Sequence, residues 1–205
     1  MFDYIEEKKD ITSITSIPII GTVPHSDYDS KKVVHENPKS LVSESIRSGR
    51  TNLQFMLDNS NANTILVTSS IPKEGKTFFS INIATAYAIT NKKIIILGLD
   101  LRNPGLYDDF NLDNKIGIST YLTNQSEFEQ SINKTEIENL DIMTSGPIPP
   151  NPSELIGSSK MITLINLLKE NYDYIIIDSP PITLATDAVQ LFSEVDSVIY
   201  VVRQN

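Results

Sequence analysis

An apolar segment that runs directly into a lysine-containing turn is the feature that most constrains the fold of this chain. Residues 65–67 are Ile-Leu-Val, and residues 68–77 have the sequence TSSIPKEGKT before a helix-like stretch begins. A strand, a turn and a helix in this order direct free N–H groups and the positive end of the helix dipole toward one point, where an anion binds. The segment is therefore predicted to be a phosphate-binding loop of an α/β protein.

The residues of this loop have distinct predicted tasks. Gly75 lets the main chain approach a phosphate closely, Lys76 reaches the β- and γ-phosphates, and the Thr77 hydroxyl ligates Mg²⁺. The usual pattern begins with glycine, whereas Ser70 stands in that place here. An ordinary strand-turn-helix with a surface lysine is the alternative interpretation, so the prediction depends on support from other motifs.

Two further buried strands end in carboxylates. Residues 172–181 read YDYIIIDSPP, which predicts a Walker B strand ending in Asp178. Residues 94–104 read IIILGLDLRNP and place Asp100 and Arg102 at another strand end. An aspartate at the carboxyl end of a parallel strand lies in the crevice where such sheets bind ligands, and there it holds Mg²⁺ directly or through water.

Hydrophobic periodicity and turn residues predict alternating strands and helices after an irregular start. Residues 1–40 are polar and interrupted by proline, and they are predicted to form an N-terminal arm or linker. Residues 41–205 are predicted to form one domain with a parallel sheet and helices on both faces. The predicted helices are 41–58, 76–90, 152–170 and 185–193. The predicted strands are 64–69, 94–99, 139–144, 173–178 and 196–202. The region that follows the second strand, through residue 138, is mixed. Asn151, Pro152 and Glu154 supply a cap, a first-turn proline and an acid for the third helix.

Composition narrows the range of partners. The 205 residues include no cysteine, which excludes disulfides and thiolate metal sites and agrees with a reducing compartment. The formal net charge of −9 argues against nucleic acid as the main partner. No stretch reaches the length of a membrane-spanning helix, so the chain as given is expected to be soluble.

Taken together and in order, these motifs resemble the bacterial tyrosine kinases of polysaccharide assembly, the BY-kinases. The loop has the form PKEGKT, and the two acidic strand ends look like Walker B and the additional Walker A′ motif of that family. Residues 44–50, ESIRSGR, fit the family's Glu-x-x-Arg-x-x-Arg oligomerisation motif, and residues 146–155, GPIPPNPSEL, match a further family segment. Residues 17–24, IPIIGTVP, resemble the linker between a transmembrane helix and the kinase domain. The resemblance covers nearly the whole chain.

The resemblance implies a P-loop kinase that binds Mg·ATP and transfers the γ-phosphoryl group to tyrosine hydroxyls. The implied catalytic residues are Lys76, Asp100 and Asp178. The residues implied to bind the nucleotide are Lys73, Glu74, Gly75, Lys76, Thr77, Phe78 and Arg102, and those implied to hold Mg²⁺ are Thr77, Asp100 and Asp178. Asp187 is a further expected neighbour of the site, and Lys73 has solvent exposure as its alternative interpretation.

One position departs from the family pattern. The resembled strand usually ends Asp-x-Asp-x-Arg, but here Gly98 replaces the first aspartate and Asp100 alone remains of the pair. In the resembled enzymes that first aspartate is a candidate base for the tyrosine proton. Three explanations are open. Another group takes the tyrosine proton in place of this aspartate, or a base is dispensable because the transition state is loose, or the protein is a weak kinase.

Assembly is the remaining expectation. Glu44, Arg47 and Arg50 follow one another at three-residue spacing, which places them along one side of a helix. Such charges are often only a solvated face, but the resemblance implies an inter-subunit contact. It also implies a homo-oligomeric ring in the full-length protein, acceptor tyrosines on a neighbouring subunit and in a tail beyond Asn205, and polysaccharide assembly proteins as partners. The implied location is the cytoplasmic face of the bacterial inner membrane.

Two other functions stay open at this stage. A regulatory ATP-binding module of a polysaccharide export machine, with little kinase activity, is supported by Gly98. A positioning ATPase of the related deviant-Walker group is less well supported, because those proteins carry a signature lysine early in the loop, where this chain has Ile71.

Overall fold

Six strands form a single sheet at the centre of the protein. The computed structural model describes residues 5–57, 63–184 and 186–204, and it describes only the main chain of Thr186 and Asp187. The strand order is β3-β4-β2-β5-β1-β6. All neighbours are parallel except the short edge strand β3, which is antiparallel to β4. The strands are β1 Asn63–Ser69, β2 Ile94–Gly98, β3 Asn133–Lys134, β4 Leu140–Met143, β5 Tyr174–Asp178 and β6 Ser197–Val201.

The inner strands are buried along their whole length and mostly apolar, because helices cover both faces of the sheet. Every residue of β1, β2, β4 and β5 is buried, whereas the edge strand β6 leaves Val198 and Tyr200 partly in solvent. Neighbouring residues of one strand belong to different cores: Ile96 packs on one face and Leu97 on the other. This alternation is the two-residue period of a pleated strand. The predicted α/β fold with helices on both faces is confirmed.

Eight α-helices and two 3-10 helices are found in the described part of the chain. The first face is covered mainly by α3 and α4, and the second mainly by α8 and α6. The α-helices are α1 Lys8–Thr12, α2 Val33–Glu36, α3 Leu41–Gln54, α4 Lys76–Ala88, α5 Leu106–Asp109, α6 Ile118–Leu122, α7 Pro152–Ile156 and α8 Ser159–Lys169, and the 3-10 helices are Glu129–Ser131 and Thr186–Leu191.

The helix predicted over residues 152–170 is two helices, and that prediction was wrong at its centre. Ser158 has extended backbone angles and its hydroxyl accepts a hydrogen bond from the Met161 N–H at 3.3 Å, so it caps the start of α8. A serine at this position favours a new helix start over continuation. Asn151 occupies the predicted N-cap position of α7, with Pro152 as the first helical residue and Glu154 in the first turn. Its side chain makes no capping hydrogen bond, and its amide instead donates to Glu154 at 2.7 Å.

The remaining boundaries differ by small amounts. The helix predicted over 185–193 is the tighter 3-10 helix Thr186–Leu191, as short connecting helices often are. The helix predicted over 41–58 ends at Gln54, and its last predicted residue lies outside the described residues. The predicted strands are correct to within one or two residues, which is the usual variation at element ends.

The predicted N-terminal arm contains structure that the sequence pattern did not indicate. Within it, Val33 and Val34 of α2 are buried against the first face. Asn82 on α4 holds this segment: its side-chain amide donates to the main-chain oxygen of Lys31 at 2.6 Å, and its oxygen accepts from the Val34 N–H at 2.8 Å. The same amide donates to the Phe78 oxygen at 2.8 Å, so α2 is fixed directly to the first turns of α4.

Candidate nucleotide-binding site

The predicted phosphate-binding loop joins the carboxyl end of β1 to the first turn of α4. Gly75 precedes the helix with a φ of +95°, a left-handed conformation that favours glycine. A Cβ at Gly75 would meet nothing within 4 Å, so the backbone angle, and not space, requires glycine there. Lys73 is also left-handed, with a φ of +68°. The first N–H groups of α4 therefore follow a sharply turned loop, as an anion site requires.

The loop is held by its own side chains. The Ile71 N–H donates to a carboxylate oxygen of Glu74 at 2.9 Å, and the Ser69 hydroxyl donates to the Ile71 oxygen at 2.8 Å. Glu74 was predicted to bind the nucleotide, and the structure shows its side chain closing the loop tip. Its main-chain N–H is the group that suits a phosphate.

Thr77 and Asp178 meet at the end of the sheet. The Thr77 hydroxyl donates to one carboxylate oxygen of Asp178 at 2.7 Å, although 101 positions separate them along the chain. The Ser80 hydroxyl donates to the other oxygen at 3.1 Å. The P-loop hydroxyl and the Walker B carboxylate therefore lie side by side, as their predicted roles in Mg²⁺ binding demand.

Burial dominates the electrostatics of Asp178. It raises the pKa of this carboxyl to about 6, against the lowering effects of the Thr77 and Ser80 hydrogen bonds and of the Lys76 charge, and nearby Asp100 adds to the rise. A carboxylate that is costly to ionise in the free protein gains from a nearby cation. Hydroxyl and carboxylate oxygens are the ligands that Mg²⁺ prefers, so Thr77 and Asp178 fit that ion.

Lys76 and Asp100 belong to the same charged group. Lys76 is buried, and its charge acts to lower the pKa of both Asp100 and Asp178. Burial nevertheless raises the pKa of Asp100, while the N–H groups of Asn103 and Arg102 donate to one of its oxygens at 2.9 and 3.3 Å. The structure thus brings the three predicted catalytic residues together.

The other residues predicted to bind the nucleotide differ in how far they are buried. Phe78 is half-buried in the first turn of α4, and Lys73 is exposed. Arg102 is exposed and its guanidinium donates to the Ser153 hydroxyl at 2.8 Å, which directs it toward α7. The side chain of Asp187 lies outside the described residues.

Gly98 ends β2 opposite Asp178 in the parallel register. A Cβ there would lie 3.3 Å from both the Leu106 side chain and the Ser145 hydroxyl, which is tighter than most real contacts. The same hydroxyl donates to the Gly98 oxygen at 2.6 Å. The space of the missing aspartate is thus partly filled by these two side chains.

Two serines were missed by the sequence analysis. Ser80 follows Thr77 by three residues on α4, so helical spacing alone could have placed it on the side of the Walker B carboxylate. Ser145 lies just beyond β4, and no local pattern marks it, because its contact depends on the pairing of β4 with β2.

The predicted oligomerisation residues divide into two groups. Glu44 and Arg47 form an ion pair at 2.6 Å on the surface of α3, and the pair holds the pKa of Glu44 below its usual range. Arg50 turns inward and donates to the Ala86 oxygen near the end of α4 at 2.6 Å. The three residues therefore do not present one common surface.

A second concavity lies at the opposite, amino-terminal edge of the strands. It has a volume of about 430 Å³ and is lined among others by Lys93, Lys134 and Tyr172. Its buried Asp141 is already satisfied by Lys134 and the Tyr172 hydroxyl, both at 2.7 Å. No phosphate-binding loop borders it, so the loop edge is the candidate site.

Comparison with known proteins agrees with this geometry. A family model described as an AAA domain matches residues 62–205. CapB of Staphylococcus aureus is 43% identical over 155 residues, which cover 76% of this chain and 68% of CapB. Tyrosine-protein kinase YwqD of Bacillus subtilis is 38% identical over 165 residues, covering 80% of this chain and 70% of YwqD.

A solved structure extends the comparison to three dimensions. The kinase domain of the Escherichia coli tyrosine kinase ETK superposes with a TM-score of 0.87 at 29% identity, covering 92% of this chain and 78% of that one. Within the described residues, no helix is both long and apolar enough to cross a bilayer. The motifs, the sheet order and these likenesses lead to one conclusion: the chain belongs to the bacterial tyrosine kinase (BY-kinase) family.

Proposed function

We propose that this protein is an ATP-dependent protein-tyrosine kinase. The observation that carries the proposal is the hydrogen bond from the Thr77 hydroxyl to Asp178. Thr77 directly follows the phosphate-binding loop, in which Lys73 and Gly75 have left-handed backbone angles. This arrangement supplies anion-binding N–H groups and two oxygen ligands for a cation at one point. A tyrosine kinase needs that combination, because phosphoryl transfer depends mainly on positioning and on neutralising charge.

The reaction has one bond made and one broken. The tyrosine hydroxyl oxygen attacks the γ-phosphorus of ATP, the bond from that phosphorus to the β,γ-bridging oxygen breaks, and ADP leaves. The main-chain N–H groups from Lys73 to Thr77 receive the phosphates, and Lys76 neutralises the charge that develops on them. Bound Mg²⁺, held by Thr77 with Asp178 and Asp100 directly or through water, would supply further charge neutralisation.

The proton of the attacking hydroxyl needs an acceptor or leaves to solvent. Gly98 has no side chain to take it. Asp100, two residues further on, keeps the remaining carboxylate of the pair, and a positioned carboxylate can take up such a proton. Asp100 is therefore our candidate base, in addition to its proposed role near Mg²⁺.

The wider setting is part of the same proposal. Residues 1–40 serve as the linker from a membrane anchor, and residues 41–205 are the kinase domain at the cytoplasmic face of the bacterial inner membrane. The full-length protein forms a homo-oligomeric ring and phosphorylates tyrosines of a neighbouring subunit, and its partners are polysaccharide assembly proteins. The relatives named as tyrosine-protein kinases support the kinase activity on which this setting depends.

A second function is favoured by one observation. Because Leu106 and Ser145 occupy the surroundings of Gly98, the protein also suits a regulatory ATP-binding module with little kinase activity. Incubation with Mg·ATP and a tyrosine-containing acceptor peptide separates the two, with phosphotyrosine and ADP measured together. Phosphotyrosine formed at a rate comparable to ADP supports the kinase, whereas nucleotide binding without phosphotyrosine supports the module.

Nucleotide binding itself has a matched pair of variants. Lys76→Ala removes the buried amine, so we expect Mg·ATP affinity to fall by at least about tenfold, in line with a charged hydrogen bond of about 1.5–3 kcal/mol. Lys73→Ala removes an exposed side chain from the same loop and should have little effect. Calorimetric titration measures both, and equal losses would show that the loop is assigned wrongly.

A further inference from the structure

Two residues from the far end of the chain contact the phosphate-binding loop from outside. The Tyr200 hydroxyl, on edge strand β6, forms a hydrogen bond with the Ser70 hydroxyl. Arg203, just after β6, donates from its guanidinium to the main-chain oxygen of Lys73 at 3.2 Å. Both are side-chain contacts, so they are independent of the main-chain pairing of β6 with β1. We call Tyr200 and Arg203 the loop brace.

The loop brace contacts two residues that are unusual for a phosphate-binding loop. Ser70 stands where the usual pattern has glycine. Lys73 has a left-handed backbone with a φ of +68°, which is unfavourable for a residue with a side chain. Such a conformation persists where surrounding contacts fix it. Arg203 supplies one such contact for Lys73, and Tyr200 supplies one for Ser70.

Ser70 is also held from a second direction. Its main-chain oxygen accepts from the Thr183 hydroxyl at 2.5 Å and from the Thr183 N–H at 3.3 Å. These bonds fix the main chain of Ser70 to the segment after β5. The bond to Tyr200 then fixes its side chain, so the opening of the loop is attached to both segments that flank β1 in the sheet.

The exposure of the brace sets it apart from core packing. Tyr200 is 47% exposed, and Arg203 is exposed as well. Removing the tyrosine hydroxyl therefore takes nothing from the hydrophobic core. A large effect on folding is not expected, and any effect on the nucleotide must pass through the loop.

We propose that Tyr200 and Arg203 are positioning residues for the nucleotide, which hold residues 70–73 in the conformation that receives the phosphates. The inference rests on the proposed nucleotide-binding function of the loop. The brace acts by preorganisation: a loop already fixed in its binding conformation loses less conformational freedom when the phosphates bind. The Arg203 guanidinium also adds positive charge beside the loop, which favours an anion.

A double-variant cycle tests the route from Tyr200 through Ser70. Tyr200→Phe keeps the ring and removes only the hydroxyl, and Ser70→Ala removes the other partner. We expect each variant to weaken Mg·ADP and Mg·ATP binding about fivefold, the equivalent of one hydrogen bond of about 1 kcal/mol. The double variant should bind no more weakly than either single variant, because both changes break the same bond.

Calorimetry, melting curves and steady-state kinetics provide the readouts. Dissociation constants should rise in Tyr200→Phe while the melting temperature without nucleotide and the binding stoichiometry stay unchanged. A purely structural role would instead lower the melting temperature or the stoichiometry. With an added tyrosine-containing peptide as the phosphoryl acceptor, KM for ATP should rise with kcat unchanged. Tyr28→Phe is the matched control, because Tyr28 has similar exposure (43%) and lies in the N-terminal segment.

The arginine has its own pair of variants. Arg203→Ala should weaken binding by a similar factor, and Arg203→Lys should recover part of the loss because it keeps the charge. Wild-type affinity in Tyr200→Phe, or additive losses in the double variant, would overturn the brace while leaving the nucleotide site intact. A wild-type protein that binds no Mg·ATP would overturn both the brace and the proposed function.

Discussion

The chemistry of the candidate site depends on single side chains at the carboxyl ends of the strands, above all on Asp178. Its carboxyl is buried and is hydrogen-bonded by Thr77 and Ser80, yet its pKa is raised to about 6 from an ordinary value of 3.8. The folded, ligand-free protein therefore holds a proton that the unfolded chain releases between these pH values. Asp178 weakens the fold as pH rises through that range, and a bound cation would offset this cost.

This leads to a pH-dependent prediction for the protein without Mg²⁺ or nucleotide. Asp178→Asn removes the titrating carboxyl but keeps the shape of the side chain. The free energy of unfolding of this variant, relative to wild type, should therefore rise by about 2 kcal/mol between pH 4.5 and pH 7.5. Urea unfolding in EDTA at the two pH values measures the change. The reference is wild type at each pH, which removes the contributions of all other groups. A constant difference between the two proteins would contradict the raised pKa.

Gly98 gives the second residue-scale prediction. If a base is what the site lacks, Gly98→Asp should raise the rate of phosphotyrosine formation by about 10² or somewhat less. The shortfall comes from Leu106 and Ser145, which must each move by a few tenths of an ångström to admit a Cβ. Gly98→Ala is the matched control, because it makes the same contacts without a carboxylate. Equal rates in the two variants, with both folded, would show that the site does not lack a base, either because Asp100 serves as the base or because none is needed.

At the scale of elements, α3 and α4 show what a motif leaves out. The spacing of Glu44, Arg47 and Arg50 predicted a common helix side, but Arg50 donates to the Ala86 oxygen in the last turn of α4. A cation at a helix C-terminus is favourable for the helix dipole. In the part of the chain that the structure describes, the Nε of Arg50 is buried without a hydrogen-bond partner, and so is the Tyr87 hydroxyl. Arg50 therefore has a structural task within one subunit, whatever contact α3 makes with a neighbour.

Separate variants distinguish these two arginines. Arg50→Ala should lower the free energy of unfolding by about 1–2 kcal/mol, because it leaves the end of α4 without its donor. Arg47→Ala should cost less than Arg50→Ala, since the contacts that it breaks lie at the surface: the ion pair with exposed Glu44 and a hydrogen bond to the Pro38 oxygen. Urea unfolding measures both, with Arg50→Lys as the charge-retaining control. Equal costs would contradict the distinction.

The test of ring assembly follows from this difference. A double Arg47→Ala and Arg50→Ala variant would mix loss of assembly with loss of stability. Arg47→Ala alone is the cleaner change, in a longer protein that includes a tail. Light scattering that showed an unchanged ring in this variant would contradict an inter-subunit role for Arg47.

Local sequence signals accounted for the elements whose cause is local. The loop around Gly75 and the buried strand before Asp178 follow from residue type and period, and the structure places them within one or two residues of expectation. The start of α3 at Leu41 is also as predicted, whereas its end at Gln54 comes four residues earlier than expected. The break before α8 was missed because Pro152 gave a strong start signal upstream, and Ser158 was not considered as a second one. The inward turn of Arg50 and the contact of Ser145 depend on pairing between distant segments, which no periodicity reports.

At the scale of the whole molecule, the seven tyrosines that the structure describes fall into exposed, half-buried and buried groups. Tyr28 and Tyr200 are more than 40% exposed, and Tyr4 lies outside the described residues. The side chains of Tyr87, Tyr121 and Tyr174 are buried. Tyr107 and Tyr172 are half-buried, and the Tyr172 hydroxyl is engaged by Asp141. A phosphoryl acceptor must enter another site, so buried rings cannot serve without unfolding.

We therefore predict that this chain is a poor substrate for itself. Phosphopeptide mapping after incubation with Mg·ATP should find modification within residues 5–204 only at low levels and only at Tyr28 and Tyr200. Lys76→Ala is the control for contaminating kinases. Heavy modification of Tyr87 or Tyr174 would mean that the domain opens far more than its packing allows.

The attachment of α2 to α4 through Asn82 has a mechanical consequence. Three hydrogen bonds from one buried side chain join Lys31, Val34 and Phe78, and Phe78 is the residue directly after Thr77. The chain ahead of Lys31 is also attached to α3, where the Asn52 amide donates to the Ile20 oxygen at 2.8 Å. Tension on the N-terminal segment would load that contact first, and once it yielded, the Asn82 junction would pass the strain to the first turn of α4, beside the phosphate-binding loop.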